Sequence, residues 1–149
     1  MFTYKDGRFH LGSSSFALPD NCLVDVLLPL DSHNGFIISP LELSFQIYLD
    51  YWTSGHESKC GLERTVCEWV RPYKIREERL PCGIGWSLEY SDGHHFYHEL
   101  YLPMKNAFLD DKGNVLNALG LDLTAETPGD LENALQNRVY LELLSSVQL

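Results

Sequence analysis

Three histidines, His94, His95 and His98, and two carboxylates, Glu89 and Glu99, crowd one short stretch of this 149-residue chain. Clustered imidazoles suggest a metal, and paired carboxylates beside a histidine suggest proton transfer. Spacing argues against the metal. On a strand, His94 and His95 point to opposite faces and His94 and His98 lie about 13 Å apart, whereas zinc needs its donors about 2 Å from one point. No metal or other cofactor is expected. For acid–base chemistry, Glu89, His95 and Glu99 would have to share a face inside a cleft that shifts their pKa values. The sequence places no nucleophile elbow, phosphate loop or metal-binding helix beside them, so no catalytic residue is assigned.

The element that must position these groups is a β-hairpin over Ile84–Leu102. With Ser91-Asp92-Gly93 as a three-residue loop and Gly93 supplying a positive φ, Tyr90 pairs with His94, Leu88 with Phe96 and Trp86 with His98. One face then carries Ile84, Trp86, Leu88, Tyr90, His94, Phe96, His98, Leu100 and Leu102. The other carries Ser87, Glu89, His95, Tyr97, Glu99 and Tyr101. A two-residue Asp92-Gly93 turn would mix Trp86 and Leu88 with Glu99, because a one-residue slip moves every side chain to the other face. The clean segregation favours the longer loop. It also sets His95 opposite Glu89 and packs His98 near Trp86.

This register selects Glu89, His95, Tyr97, Glu99 and Tyr101 as a binding surface. Tyrosine gives a large amphipathic contact area at small entropic cost, and an acidic surround steers basic partners. The expected function is a non-catalytic protein-interaction domain, adaptor or chaperone-like, whose partner is another protein. The alternatives are a small-molecule or metal-binding domain, or an acid–base enzyme using Glu89, His95 and Glu99. A sheet covered on both faces would bury the tyrosines against a helix, the terminal one being the candidate. Tyr48, Tyr51 and Trp52 are then the reserve surface.

Composition sets the outer bounds. With 44% hydrophobic and 12% aromatic residues, the chain is long enough for one core, and residues 1–149 read as a single globular domain. A formal charge of −10 argues against a protein that grips nucleic acid or an anionic membrane surface. The exception is local: Lys59, Arg64, Arg71, Lys74, Arg76 and Arg79 outnumber Glu63, Glu68, Glu77 and Glu78 by two. No basic segment followed by an apolar run opens the chain, and no stretch reaches the roughly 20 apolar residues of a membrane-spanning helix. A cytoplasmic location is the expectation, and Cys22, Cys60, Cys67 and Cys82, lacking any CxxC spacing, read as reduced thiols. Cys60 and Cys67 lie about 10 Å apart along one helix, too far for a disulfide.

Turn chemistry divides the rest. Lys5-Asp6-Gly7 joins strands Phe2–Tyr4 and Arg8–Leu11, and Ser32-His33-Asn34-Gly35 joins Val24–Leu28 and Phe36–Ser39. Ser44–Tyr51 reads as the next strand. Residues Ser54–Val70 take helical period, with Leu62, Val66, Trp69 and Val70 on one stripe and Pro72 as the stop. Ile75–Leu80 reads as a strand, Asp110-Asp111-Lys112-Gly113-Asn114 as a turn, and Leu116–Thr124 fits strand or helix. Thr127-Pro128-Gly129-Asp130 opens a last helix with Leu131, Ala134, Leu135 and Val139 buried, and Ser145–Leu149 can add a short strand.

The order of these elements resembles the PsbP-like superfamily: an opening hairpin, Phe16-Ala17-Leu18-Pro19-Asp20-Asn21, the Asn34-Gly35 turn, a mid-chain helix, the Tyr90-Ser91-Asp92-Gly93 hairpin and a terminal helix ending Leu143-Leu144-Ser145-Ser146-Val147. The resemblance covers most of the chain. It implies an α+β fold, a single antiparallel β-sheet sandwiched between helices. Members of that superfamily include a photosystem extrinsic subunit, a nuclear-import factor and effector chaperones, so the resemblance implies protein binding and carries over no functional residue.

Overall fold

The computed structural model describes residues 3–27, 35–41, 43, 45–53, 55–67, 69, 71–110 and 112–149. The described elements run β1 (Thr3–Lys5), β2 (Arg8–Leu11), β3 (Ser14–Ala17), β4 (Cys22–Leu27), β5 (Gly35–Pro40), β6 (Ile47–Thr53), α1 (Lys59–Val66), β7 (Tyr73–Leu80), β8 (Gly83–Ser91), β9 (Phe96–Leu109), β10 (Val115–Ala125), α2 (Pro128–Leu135) and α3 (Arg138–Ser146). The class is α+β and the strands are antiparallel, but the expected single sheet is two. β1-β2-β3 form a small sheet, and β4-β5-β6-β10-β9-β8-β7 form a seven-stranded one. The split falls where Pro19 lacks an N–H for a ladder and Asn21 turns the chain at a φ of 57°.

Alternation along the strands divides the large sheet into two chemically different faces. Leu100 and Leu102 of β9, Leu119, Leu121 and Leu123 of β10, Ile47 and Leu49 of β6, and Phe36 and Ile38 of β5 form one continuous buried layer. Leu131 and Ala134 of α2, Tyr140, Leu143 and Leu144 of α3, and Leu11 and Phe16 of the small sheet close over it. The opposite face holds a smaller cluster, in which Leu62 and Val66 of α1 cover Leu88 and Tyr101, with Trp52, Trp69, Ile75, Trp86 and Tyr90 around them. Gly120 makes the second cluster possible, because a Cβ there would stand 2.7 Å from the Trp52 indole nitrogen.

Helix boundaries follow their caps. The mid-chain helix is shorter than its periodicity predicts: the Ser58 hydroxyl accepts from Gly61 N at 3.1 Å, and the helix closes at Cys67. Trp69 packs beyond the helix, its ring 4.6 Å from that of Tyr90. The last helix is divided. Thr127 caps α2 with Pro128 in its first turn, as predicted, and Asn137 then caps a new helix by accepting from Val139 N at 2.9 Å. Residues 146–148 bind β3 through Ser15–Gln148 backbone bonds of 2.9 and 2.8 Å and a Ser146 hydroxyl accepting from Ala17 N at 3.0 Å. The expected Phe2 strand start, the Leu28 strand end, the Ser32–Asn34 turn, Ser44, the Ser54 helix start, Val70 and Asp111 lie outside the described residues.

Candidate functional site

The β8–β9 register differs from the one expected. Ser91 pairs with Phe96, Tyr90 with Tyr97, Leu88 with Glu99 and Trp86 with Tyr101. The loop therefore has four residues, Asp92–His95, and the three-residue reading is corrected. Asp92 builds it: Oδ1 accepts from His94 N at 2.9 Å and His95 N at 2.7 Å, and Oδ2 accepts from the Tyr97 hydroxyl at 2.7 Å. These donors, the His95 amide first, hold the Asp92 carboxyl far below its ordinary range. Gly93 takes a φ of 91°, open to glycine without strain.

The shift is odd, so the two predicted faces exchange members. Tyr97, Glu99 and Tyr101 share the α1 side with Trp86, Leu88 and Tyr90, the mixture that segregation argued against. Glu89 stands on the other side, opposite His98, whose Nε2 lies 3.9 Å from Glu89 Oε1. His95 is exposed in the loop. Glu89, His95 and Glu99 do not converge, and His98 packs with Glu89 rather than Trp86.

On the α1 side two tyrosines satisfy Glu99. Glu99 accepts from the Tyr90 hydroxyl at 2.7 Å and from the Tyr101 hydroxyl at 2.9 Å. Burial first, and the Glu99 charge after it, push both phenols well above the usual tyrosine range. Asp122 of β10 lies directly opposite Glu99, and its Oδ1 is shielded from solvent with no hydrogen-bond partner among the described residues. Burial, then Glu99, then Asp50 raise the Asp122 carboxyl well above 3.8. Tyr101 is only 3% exposed, buried by α1 rather than by the terminal helix. Of the reserve residues, Tyr51 is buried, its phenol pushed to about 12 by burial, and Tyr48 and Trp52 are half-buried.

At the end of the same strands the surface opens into a cleft of 660 Å³ between α2 and the β7–β8 edge. Tyr73, Tyr90, Phe96 and Tyr97 line it with Leu131 and Leu135 of α2, and Lys74, Arg76, Glu89 and Glu132 supply its charge. Stacked rings fix one wall: Tyr90 and Tyr97 lie 4.8 Å apart at 16°, and the Arg71 guanidinium sits 5.1 Å from the Trp69 ring and 5.3 Å from that of Tyr90. Behind the cleft, burial lowers the His98 pKa below 6.5, partly offset by Glu89 and Glu78.

Two expected site residues, Glu89 and Tyr97, thus line the cleft. His95 lies in a second groove beyond Tyr97 with Tyr48 and Thr124, Glu99 is half-buried between two tyrosines, and Tyr101 is covered. Sequence reasoning did not single out Tyr73, Phe96, Leu135 or Asp122. A signal for Asp122 existed: Leu119-Gly120-Leu121-Asp122-Leu123 alternates as a strand, which sets a carboxylate among the residues facing α1. Comparison with protein families, curated proteins and solved structures finds no match. Among the described residues no helix is long and apolar enough to cross a membrane.

Proposed function

We propose that this is a non-catalytic protein-interaction domain, adaptor or chaperone-like, that receives a segment of another protein in the cleft between α2 and the β7–β8 edge. One observation carries the reading: Tyr73, Tyr90, Phe96 and Tyr97 meet Leu131 and Leu135 in an open groove rimmed by both signs of charge. Aromatic anchors over an apolar floor with a polar rim form the composition of a binding hot spot. Tyr73, 41% exposed, stands at the mouth. The cytoplasm suits this role, because the free thiols of Cys60 and Cys67 are exposed. A superfamily relationship to PsbP-like proteins is part of the same reading, and a large antiparallel sheet with helices on both faces supports it.

The test is affinity capture from a lysate of the source organism with the native chain and with a Tyr73→Ala, Tyr97→Ala variant whose circular dichroism is unchanged. A partner held by the native chain loses roughly 30-fold in affinity for the variant, the effect of removing one strong anchor. Equal capture by both proteins places the interface elsewhere.

A further inference from the structure

β7 is the outer strand of the seven-stranded sheet, and among the described residues it pairs only with β8. Such an edge leaves alternate N–H and C=O groups for another strand. Pairing with β8 continues without a shift from Tyr73–Tyr90 to Leu80–Gly83, so the edge has neither the bulge nor the internal proline that commonly blunts one. Its charges have an order. The sequence Tyr73-Lys74-Ile75-Arg76-Glu77-Glu78-Arg79-Leu80 is basic in its first half and acidic after Arg76. Laid antiparallel on itself, such a strand is complementary; laid parallel, it is not.

We infer that the free edge of β7 docks a second copy of this chain, β7 against β7 about a two-fold axis, giving one continuous sheet with seven strands from each copy. The register that sets Lys74 opposite the second copy's Glu78 also sets Tyr73 opposite its Arg79, and the symmetry makes each pair twice. Arg76 meets its own copy on the axis, with the second copy's Glu78 diagonal to it. Neither Lys74 nor Arg76 has an ion-pair partner within its own chain among the described residues. The overall charge favours the same choice. Two copies carrying −10 each repel across most surfaces, whereas β7 carries Lys74, Arg76 and Arg79 against Glu77 and Glu78. The other edge, β4, has Asp25 as its only charge and cannot complement itself. Main-chain bonds supply the affinity and the charges fix the register.

The dimer edge shares Tyr73, Lys74 and Arg76 with the lining of the cleft, and in this register the second copy's Glu78 and Leu80 extend its outer wall. Sedimentation of the full chain should give a species of twice 17.0 kDa. Lys74→Glu creates two like-charge pairs and should weaken the dimer about tenfold, and adding Glu78→Lys in the same chain should restore it. Lys74 also lies opposite Glu89 within its own chain, so thermal melts must show each variant folded. If Lys74→Glu melts early, Glu78→Lys alone, which sets a lysine opposite the second copy's Lys74 twice, replaces it and should weaken the dimer in the same direction. A monomer at every concentration overturns the inference, and so does a dimer indifferent to these charges or one that the double variant does not restore. Sedimentation needs no captured partner and the Tyr73→Ala, Tyr97→Ala variant changes no charge, so the two readings can fail separately.

Discussion

The two faces of the large sheet are held in different ways. Beneath α2, α3 and the small sheet, Phe36, Ile38, Ile47, Leu49, Leu102, Leu119 and Leu121 are each at most 1% exposed, and the layer is apolar from β5 to β9 apart from His98. Beneath α1 the buried hydrophobics are few, and Glu99, Asp122 and three tyrosines occupy the positions beside them. The first face gains stability in proportion to the apolar area it hides. The second is held by hydroxyls paired to Glu99 and contains a buried carboxyl whose pKa is raised, so it responds to pH and to single polar changes.

The largest break in that contrast should come from Leu121→Ala, which empties a fully buried site of the first face. Urea denaturation should show a loss of about 2–5 kcal/mol. A loss no greater than that of Val115→Ala, an exposed position, would mean the layer is not the main core.

Asp122 tests the second face. Its pKa is higher folded than unfolded, so the folded protein binds this proton more tightly. The contribution is complete below 3.8 and is lost as pH rises through the raised folded value. Asp122→Asn keeps the shape without the ionisation, and should raise stability at neutral pH by something on the order of 1 kcal/mol. Parallel stability–pH curves for the two proteins would remove Asp122 from the account.

His98 acts in the opposite sense from the first face. Its pKa is lower folded than unfolded, so its contribution is present above 6.5 and is lost as pH falls toward the folded value. His98→Gln should flatten that acid limb by up to about 1 kcal/mol. An unchanged limb would assign the acid sensitivity to other groups.

The smallest effect belongs to Asp92, which lies in solvent and shapes only the loop. Asp92→Ala should leave the melting temperature nearly unchanged while the His94 and His95 amides exchange faster. Exchange rates equal to those of the native loop would mean that the backbone alone sets the four-residue turn.

The same contrast explains what could be read in the sequence. The Lys5-Asp6-Gly7 turn, the Thr127-Pro128 helix start and the central hairpin were legible because each depends on neighbours in the chain. The hairpin register was not. Segregation of apolar from polar side chains identifies the register of a sheet with one wet face. Here α1 covers one face and α2 and α3 the other, so Trp86 and Leu88 share a side with Glu99, and the polar group is satisfied by tyrosines rather than by water. The register change separates Glu89 from Tyr97, Glu99 and Tyr101 across the sheet, and Glu89 and Tyr97 still meet at the cleft because both stand near the strand ends. Residues from α2 could not be joined to it without the fold.

The bonds between Ser15 and Gln148 span 133 residues of chain. During synthesis β1–β3 leaves the ribosome long before the segment that fastens it, and Phe9, Leu11 and Phe16 have until then nothing from α3 to pack against. Closing so long a loop comes late in folding and is entropically costly. A nascent chain must therefore carry this aromatic sheet with Phe36 of β5 against it but without α3 until the last helix is made, and its yield in a cell depends on what shields that sheet during the wait.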